Sequence, residues 1–405
     1  MVTHNPKQII EQLQTILSNP SKKIWFLFGA WISMKDMSWK DLIPGVDIMT
    51  DTVIKKFTKD PQRSAIEVIK TEIISDWKKF NIETLLSKIS EKERAAWAEK
   101  LCWLSKHELE ILRKDIEDDI CKQVSIHEPA SEKVNVETIN HNTFAKWIKN
   151  ADREFPVEIF TLNYDYLLEL SLENQGIPYF DGFVGSYNAF FCPEWIEDGS
   201  PVRDWVKLWK LHWSLGWSQN EKKDIIRTSW AAWTSMIYPS FLKYDHSKKQ
   251  PYLSYMDRLS YFLKQEDAVL FTCWYSFWDE HINELILTAV SRSRSSSVFV
   301  LNFWELEETD ELPKIAMNNT KISVYAKRTA VIGWKFWEWK LDWEPDKNVS
   351  YNVIDFGFDE DAVMEEEWKT NTWTGKWNFW LGDFNKFTNF LSHFYSKSKY
   401  IKNDK

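Results

Sequence analysis

"FLFGAWIS" (Phe26–Ser33) decides how this chain of 405 residues folds. With Ile24-Trp25 before it, its first half is an unbroken apolar run, the kind that forms a strand buried on both faces of a parallel sheet. Gly29-Ala30 ends the run, and Ser33 closes the turn that follows. Strand, tight turn and helix start, in that order, let backbone N–H groups approach a phosphate. Yet Trp31 puts the largest side chain where such a turn needs the smallest. Alone, Gly-Ala-x-x-Ser reads as a plain tight turn.

Four more runs of this type follow. They are "VEIFTLNYD" (157–165), "DWVKLWKLH" (204–212), "DAVLFTCW" (267–274) and "SSVFVLNF" (296–303). Helical patterns alternate with them: "KQIIEQLQTIL" with Pro6 at its first position, "YLLELSLENQG" ending at Gly176, and "DEHINELILTAVSRS" with Asp279 as N-cap. This alternation predicts an α/β fold, a doubly wound Rossmann-like parallel sheet. Residues 51–150 are charged and helical, and read as an inserted helical layer. After Leu306 the pattern changes to short strands ("KISVYAKRTAVIGW"), an acidic stretch ("FDEDAVMEEEW") that reads as a solvated face, and an amphipathic segment ("FNKFTNFLSHFYSKSKY"). A smaller C-terminal α+β region is expected over 306–405.

Composition narrows the function classes. Apolar residues are 44% and charged residues 27%, as in soluble globular proteins. No window approaches the roughly 18 apolar residues of a membrane span, and the N-terminus lacks a signal-peptide core. Cys102, Cys121, Cys192 and Cys273 form no CxxC pair, so neither a disulfide framework nor a cysteine zinc site is indicated. A reducing cytoplasm is the expected location. The net charge of −9 argues against broad nucleic-acid affinity.

Two counts stand out: 25 Trp and 11 Gly, where average usage would give about 28 Gly. Several Trp stand where a turn wants glycine, in "AWIS", "HWSL", "CWYSFWDEH", "NFWELEE" and "IGWKFWEWK". The chain reads as an ordinary parent in which many glycine positions carry tryptophan. A tryptophan-rich face binding sugar rings or single strands is the competing reading, and it requires the rings to share one face.

Four motifs end the strands, at the sheet edge where open α/β folds bind ligands. They are Gly29-Ala30-Trp31-Ile32-Ser33, Asn163-Tyr164-Asp165, Leu211-His212-Trp213-Ser214-Leu215 and "CWYSFWDEHIN" (273–283), with Asn302 ending the next strand. Each has a bland reading when taken singly: turn, Asx turn, packed core histidine, helix cap.

Together, in this order, they resemble the sirtuin family, and "FTLNYD", "KLHWSLGW" and "CWYSFWDEHIN" are similar to its bacterial antiviral-defence branch. The resemblance spans roughly residues 20–305. It departs from the family at Trp31, Trp213, Trp274 and Trp278, where the family has small residues. It implies a NAD-binding domain over 1–305 and cleavage of the nicotinamide–ribose bond of NAD. Asn163 would orient the ribose or the attacking water, Asp165 would support the nicotinamide end, and His212 would act as base. The loop Gly29, Ala30, Trp31 and Ser33 would hold the phosphates, joined by Ser214, Ser276, Asp279 and Asn302 on the cofactor. With no CxxC pairs, no zinc and no deacylase activity are expected. Relatives of this size imply a large homo-oligomer and a HerA-type hexameric ATPase partner. A catalytically silent nucleotide sensor is the alternative. His4, His107, His127, His141, His246 and His393 show no ligand spacing and read as surface or packing residues; His281 reads as packing at a helix start.

Overall fold

The computed structural model describes residues 3–97, 99–127, 134–197, 202–212, 214–222, 224–227, 250–345, 353–360 and 373–394. The acidic stretch beyond Glu360, Trp213 and His246 lie outside the described residues.

After the helix α1 (Pro6–Ser18), the opening run forms β1 (Lys23–Phe28). β1 alternates its side chains between two cores. Trp25 and Leu27 enter one, Ile24, Phe26 and Phe28 the other. Burial on both faces is what made the run continuously apolar.

Among the described residues, five α-helices separate β1 from its neighbour β2 (Glu158–Thr161): α2 (Val46–Ile54), α3 (Gln62–Ser75), α4 (Ile82–Ala95), α5 (Lys106–Val124) and α6 (Asn140–Asn150). Capping boxes start two of them, Asn81 with Thr84 at α4 and Ser105 with Glu108 at α5. Residues of α2–α5 join the Trp25 core, whereas α6 packs on the Phe26 core.

Next come α7 (Leu167–Asn174), β3 (Tyr179–Phe180), β4 (Phe183–Val184), β5 (Ala189–Phe191), α8 (Glu194–Glu197), β6 (Val206–Lys210), β7 (Trp217–Gln219), β8 (Ile225–Arg227) and α9 (Tyr252–Leu263). They are followed by β9 (Ala268–Cys273), α10 (Glu280–Arg292), β10 (Ser297–Leu301), α11 (Glu311–Met317), β11 (Ile322–Tyr325), β12 (Thr329–Ile332) and β13 (Lys335–Glu338). The main sheet runs β13-β12-β11-β10-β9-β1-β2-β6-β3. It is parallel from β11 to β3 and antiparallel at β12 and β13, so the Rossmann-like α/β expectation holds. Three of its strands come from beyond Leu306. A small antiparallel sheet, β4-β5-β8-β7, stands apart, and β14 (Phe358–Glu360) pairs with β15 (Trp377–Phe379) before α12 (Phe384–Ser392).

Strand order reverses direction about β1. From β1 the chain moves to β2, β3 and β6 on one side, then returns to β9, β10 and β11 on the other. The crevice beyond the carboxyl ends of β1 and β9 is therefore the topological switch point, where such sheets bind ligands.

Backbone conformation sorts the tryptophans. α7 ends on Gly176 (φ +63), with Gly176 N–H donating to Glu173 and Ile177 N–H to Leu172. α3 ends in the same way on Trp77 (φ +58), with Trp77 N–H donating to Ile74 and Lys78 N–H to Ile73. Both are Schellman caps, whose left-handed residue is usually glycine. Two-residue turns repeat the pattern. Gly333-Trp334 joins β12 to β13 at φ +55 and +64, and Cys102-Trp103 joins the paired Leu101 and Leu104 at φ +51 and +66. Left-handed backbone at both central residues is the requirement of a type I′ turn, whose second place favours glycine. Trp39 and Trp274 are left-handed too. Trp39, Trp77, Trp103 and Trp334 are exposed, each at a separate turn along the chain, a distribution that follows turns and counts against the single-face reading.

Candidate active site

The ends of five adjacent strands supply the site: Asn302 after β10, Trp274 after β9, Gly29 after β1, Asn163 after β2 and His212 after β6. At the centre, Gly29 N–H donates to Cys273 carbonyl oxygen at 3.1 Å. A Cβ on Gly29 would lie 1.8 Å from the Trp274 carbonyl oxygen, so only glycine lets β1 and the post-β9 loop meet so closely. Ala30–Ser33 then coils as a single 3-10 turn. Ala30 is exposed, Trp31 half-exposed and Ser33 buried.

Two hydrogen-bonded groups flank this centre. In the first, Asn163 Nδ2 donates to Ser33 Oγ at 2.7 Å, and Ser33 Oγ lies 3.4 Å from His141 Nε2. Asn163 is buried, and its Oδ1 has no partner. Its backbone N–H is held by Thr161 Oγ1, which fixes the loop after β2. His141, a surface or packing residue by its sequence, is fully buried on α6, against Phe384. Burial lowers its pKa to about 4, and the Asp165 carboxylate opposes that shift. His141 is therefore neutral at pH 7.

In the second group, His212 Nε2 lies 3.2 Å from Asp279 Oδ2. Asp279 also caps α10, its Oδ1 accepting from His281 and Ile282 N–H. A carboxylate only accepts, so Nε2 carries a proton, and in the neutral form of the ring the lone pair is then on Nδ1. Tyr275 and Asn283 brace the loop: Tyr275 hydroxyl bonds Asn283 Oδ1 at 2.5 Å, and Asn283 Nδ2 donates to Phe277 carbonyl at 2.6 Å.

The remaining expected residues take varied positions. Asp165 is buried, and its Oδ1 accepts from Leu167 N–H at 2.9 Å, which starts α7. Lys210 supports it from below, donating to Asp165 carbonyl oxygen and pairing with Glu169 at 2.6 Å. Burial raises the Glu169 pKa, and Lys210 opposes the rise. Ser214 is buried, whereas Ser276 is exposed. Asn302 is half-buried, its Nδ2 donating to Trp304 carbonyl oxygen at 2.8 Å.

Aromatic rings cover the switch point. Trp31 stacks on Trp274 at 5.1 Å and 9°, and Trp274 stacks on Phe303 at 4.9 Å. Trp304 meets Trp31, Trp274 and Phe303 edge-on.

Five strands thus end at one switch point, with a buried Asn and a carboxylate-held His on neighbouring loops, the place where open α/β sheets bind ligands. Residues 157–324 match the SIR2-like domain. That segment takes in Asn163, Asp165, His212, Ser214, Ser276, Asp279 and Asn302, and it supports a sirtuin-like family and a NAD-related function. Gly29, Trp31, Ser33 and His141 lie before the SIR2-like segment; the pairing of β1 with β2 and β9 and the Ser33 contacts bring them to it. No curated protein matches the chain. Among the described residues no helix is long and apolar enough to cross a membrane, and no three His, Cys, Asp or Glu side chains cluster as a metal site.

Proposed function

We propose that the chain is a NAD glycohydrolase, which cleaves NAD to nicotinamide and ADP-ribose. One observation supports this reading above the others: Asn163 and His212 end adjacent strands beside the β1–β9 switch point, each held by a buried partner. The orphaned Asn163 Oδ1 fits a polar ligand, because a buried acceptor without a donor is costly unless a ribose hydroxyl or water supplies one.

The chain's own groups then divide the work. Ser33 fixes the Asn163 amide so that Oδ1 accepts and Nδ2 stays engaged. Asp279 holds His212 in one tautomer, leaving Nδ1 to take a proton from a ribose hydroxyl or the attacking water. Its charge also stabilises the imidazolium that results. Glycosidic cleavage passes through an oxocarbenium-like centre, so orientation and charge placement supply most of what the protein gives. Asp165, tied into the α7 start, acts through the position of the Asn163 loop.

The family resemblance extends the proposal to an anti-phage role in the cytoplasm, in a large homo-oligomer assembled with a HerA-type hexameric ATPase. Co-purification and mass photometry of the two chains test that part. A nicotinamide-release assay on the wild-type chain, N163A and H212A tests the chemistry. Release that is abolished in both variants, at unchanged melting temperature, supports it; release indifferent to both substitutions refutes it.

A second reading has its own observation. The Trp31–Trp274 stack sits at the ends of β1 and β9, beside the switch point, which favours a catalytically silent sensor for a chain that keeps these rings.

A further inference from the structure

Eight non-glycine residues among those described have left-handed backbone: Trp39, Trp77, Cys102, Trp103, Asp267, Trp274, Phe277 and Trp334. Five are tryptophan. Asn and Asp tolerate this conformation best, and bulky residues are outliers in it. Here one is Asp and none is Asn, an inversion of the chemical order.

The local geometry at each position asks for glycine. Trp77 occupies the cap that Gly176 occupies in α7, with the same pair of hydrogen bonds. Trp103 and Trp334 hold the second place of two-residue hairpin turns. Trp39 closes the loop between Asp36 and Lys40, with Asp36 N–H donating to Lys40 carbonyl oxygen and Trp39 N–H to Asp36. Trp274 makes the first bend after β9.

At four of the five positions the side chain gains no packing that would offset the strain; Trp274, half-buried and stacked on Trp31 and Phe303, is the exception. Trp77 is 98% exposed, and Trp39, Trp103 and Trp334 are each more than half exposed. A second population behaves as tryptophan should. Trp147, Trp209 and Trp339 are among the largest fully buried side chains, none of them left-handed: Trp147 lies in a helix, Trp209 in a strand and Trp339 in an isolated bridge to His4. Selection on one amino acid does not yield these two sets.

We infer that residues 39, 77, 103, 274 and 334 are glycine in the protein as its own cells make it, through a codon read as tryptophan that those cells decode as glycine. Residue 31, stacked on Trp274 in the turn after Gly29, belongs with them. Glycine at 31 and 274 removes two of the four rings over the switch point and exposes the amides of the Gly29–Ser33 turn. That opening is what a dinucleotide needs, and this last step rests on the function proposed above.

Peptide mass spectrometry of the protein isolated from the cells that encode it is the test. The expected result is glycine at positions 31, 39, 77, 103, 274 and 334, tryptophan at Trp147, Trp209 and Trp339, and an intact mass below 48.4 kDa. Tryptophan at the left-handed positions overturns the inference. The second arm titrates NAD against the recombinant chain and its W31G/W274G variant. Affinity tighter by roughly tenfold or more supports the opened crevice. Glycine in the peptides with no gain in affinity keeps the decoding and sinks the dinucleotide step.

Discussion

The core and the turns of this molecule use the same amino acid in opposite ways. Trp339 is fully buried just after β13, its indole N–H donating to Ala326 carbonyl oxygen at 2.8 Å and its ring against Phe358 and Phe379. Trp77 extends from a left-handed helix cap into solvent. The first ring is held by its surroundings on every side; the second is tolerated by a backbone that would be easier without it. Burial and φ together therefore separate a structural residue from one that stands in a place made for another.

The largest expected effect sharpens the core side of that contrast. Trp339→Ala should cost about 3–5 kcal/mol in chemical denaturation, since it opens a cavity and strands Ala326 carbonyl oxygen. A loss under about 1 kcal/mol would place Trp339 with the turn set.

Next in size is the buried support of the rim. Lys210→Ala leaves the Glu169 carboxylate buried without its cation and frees the loop that carries Asn163, at a cost of about 3–5 kcal/mol. The double variant K210M/E169L should recover most of it.

His141 gives a pH signature of similar scale. Its pKa falls from 6.5 to about 4 on folding, so between those values the unfolded chain binds more protons. Stability is then full above pH 6.5 and is lost as pH falls toward 4, by about 3 kcal/mol for this group. His141→Asn should flatten that part of the profile; an unchanged slope would remove His141 as its source.

The smallest effect lies at the turns. Trp77→Gly and Trp334→Gly should each stabilise by about 1 kcal/mol, because relief of left-handed strain exceeds the entropy that glycine adds to the unfolded chain. Destabilisation by either would break the contrast from the turn side.

Much of the fold was legible because the central strands are buried on both faces, which writes continuous apolar runs into Phe26, Ile159, Leu208, Phe271 and Phe299. The four-stranded sheet was not legible. Its strands are two or three residues long, too short for a period to register. That β11–β13 continue the main sheet is a fact of long-range pairing, invisible in a local pattern of short strands.

In the site, motif order brought Gly29, Asn163, His212 and Asp279 to attention, and the sheet places them on one edge. The Ser33–Asn163 and His212–Asp279 bonds were not readable, since each joins residues far apart in sequence. His141 was missed because it carries no motif. Its one signal is its company on α6, where Phe144, Ala145, Trp147 and Ile148 already mark a buried face. The tryptophan anomaly was visible as a composition; only backbone dihedrals showed that the residues concerned sit in the left-handed region.

The account stands or falls most directly on nicotinamide release from NAD by the W31G/W274G chain, compared with the same chain also carrying N163A or H212A. Release that drops by about 100-fold or more in either triple variant, with NAD still bound, is the predicted result. Equal release from all three chains, or binding with no release in W31G/W274G itself, would contradict it.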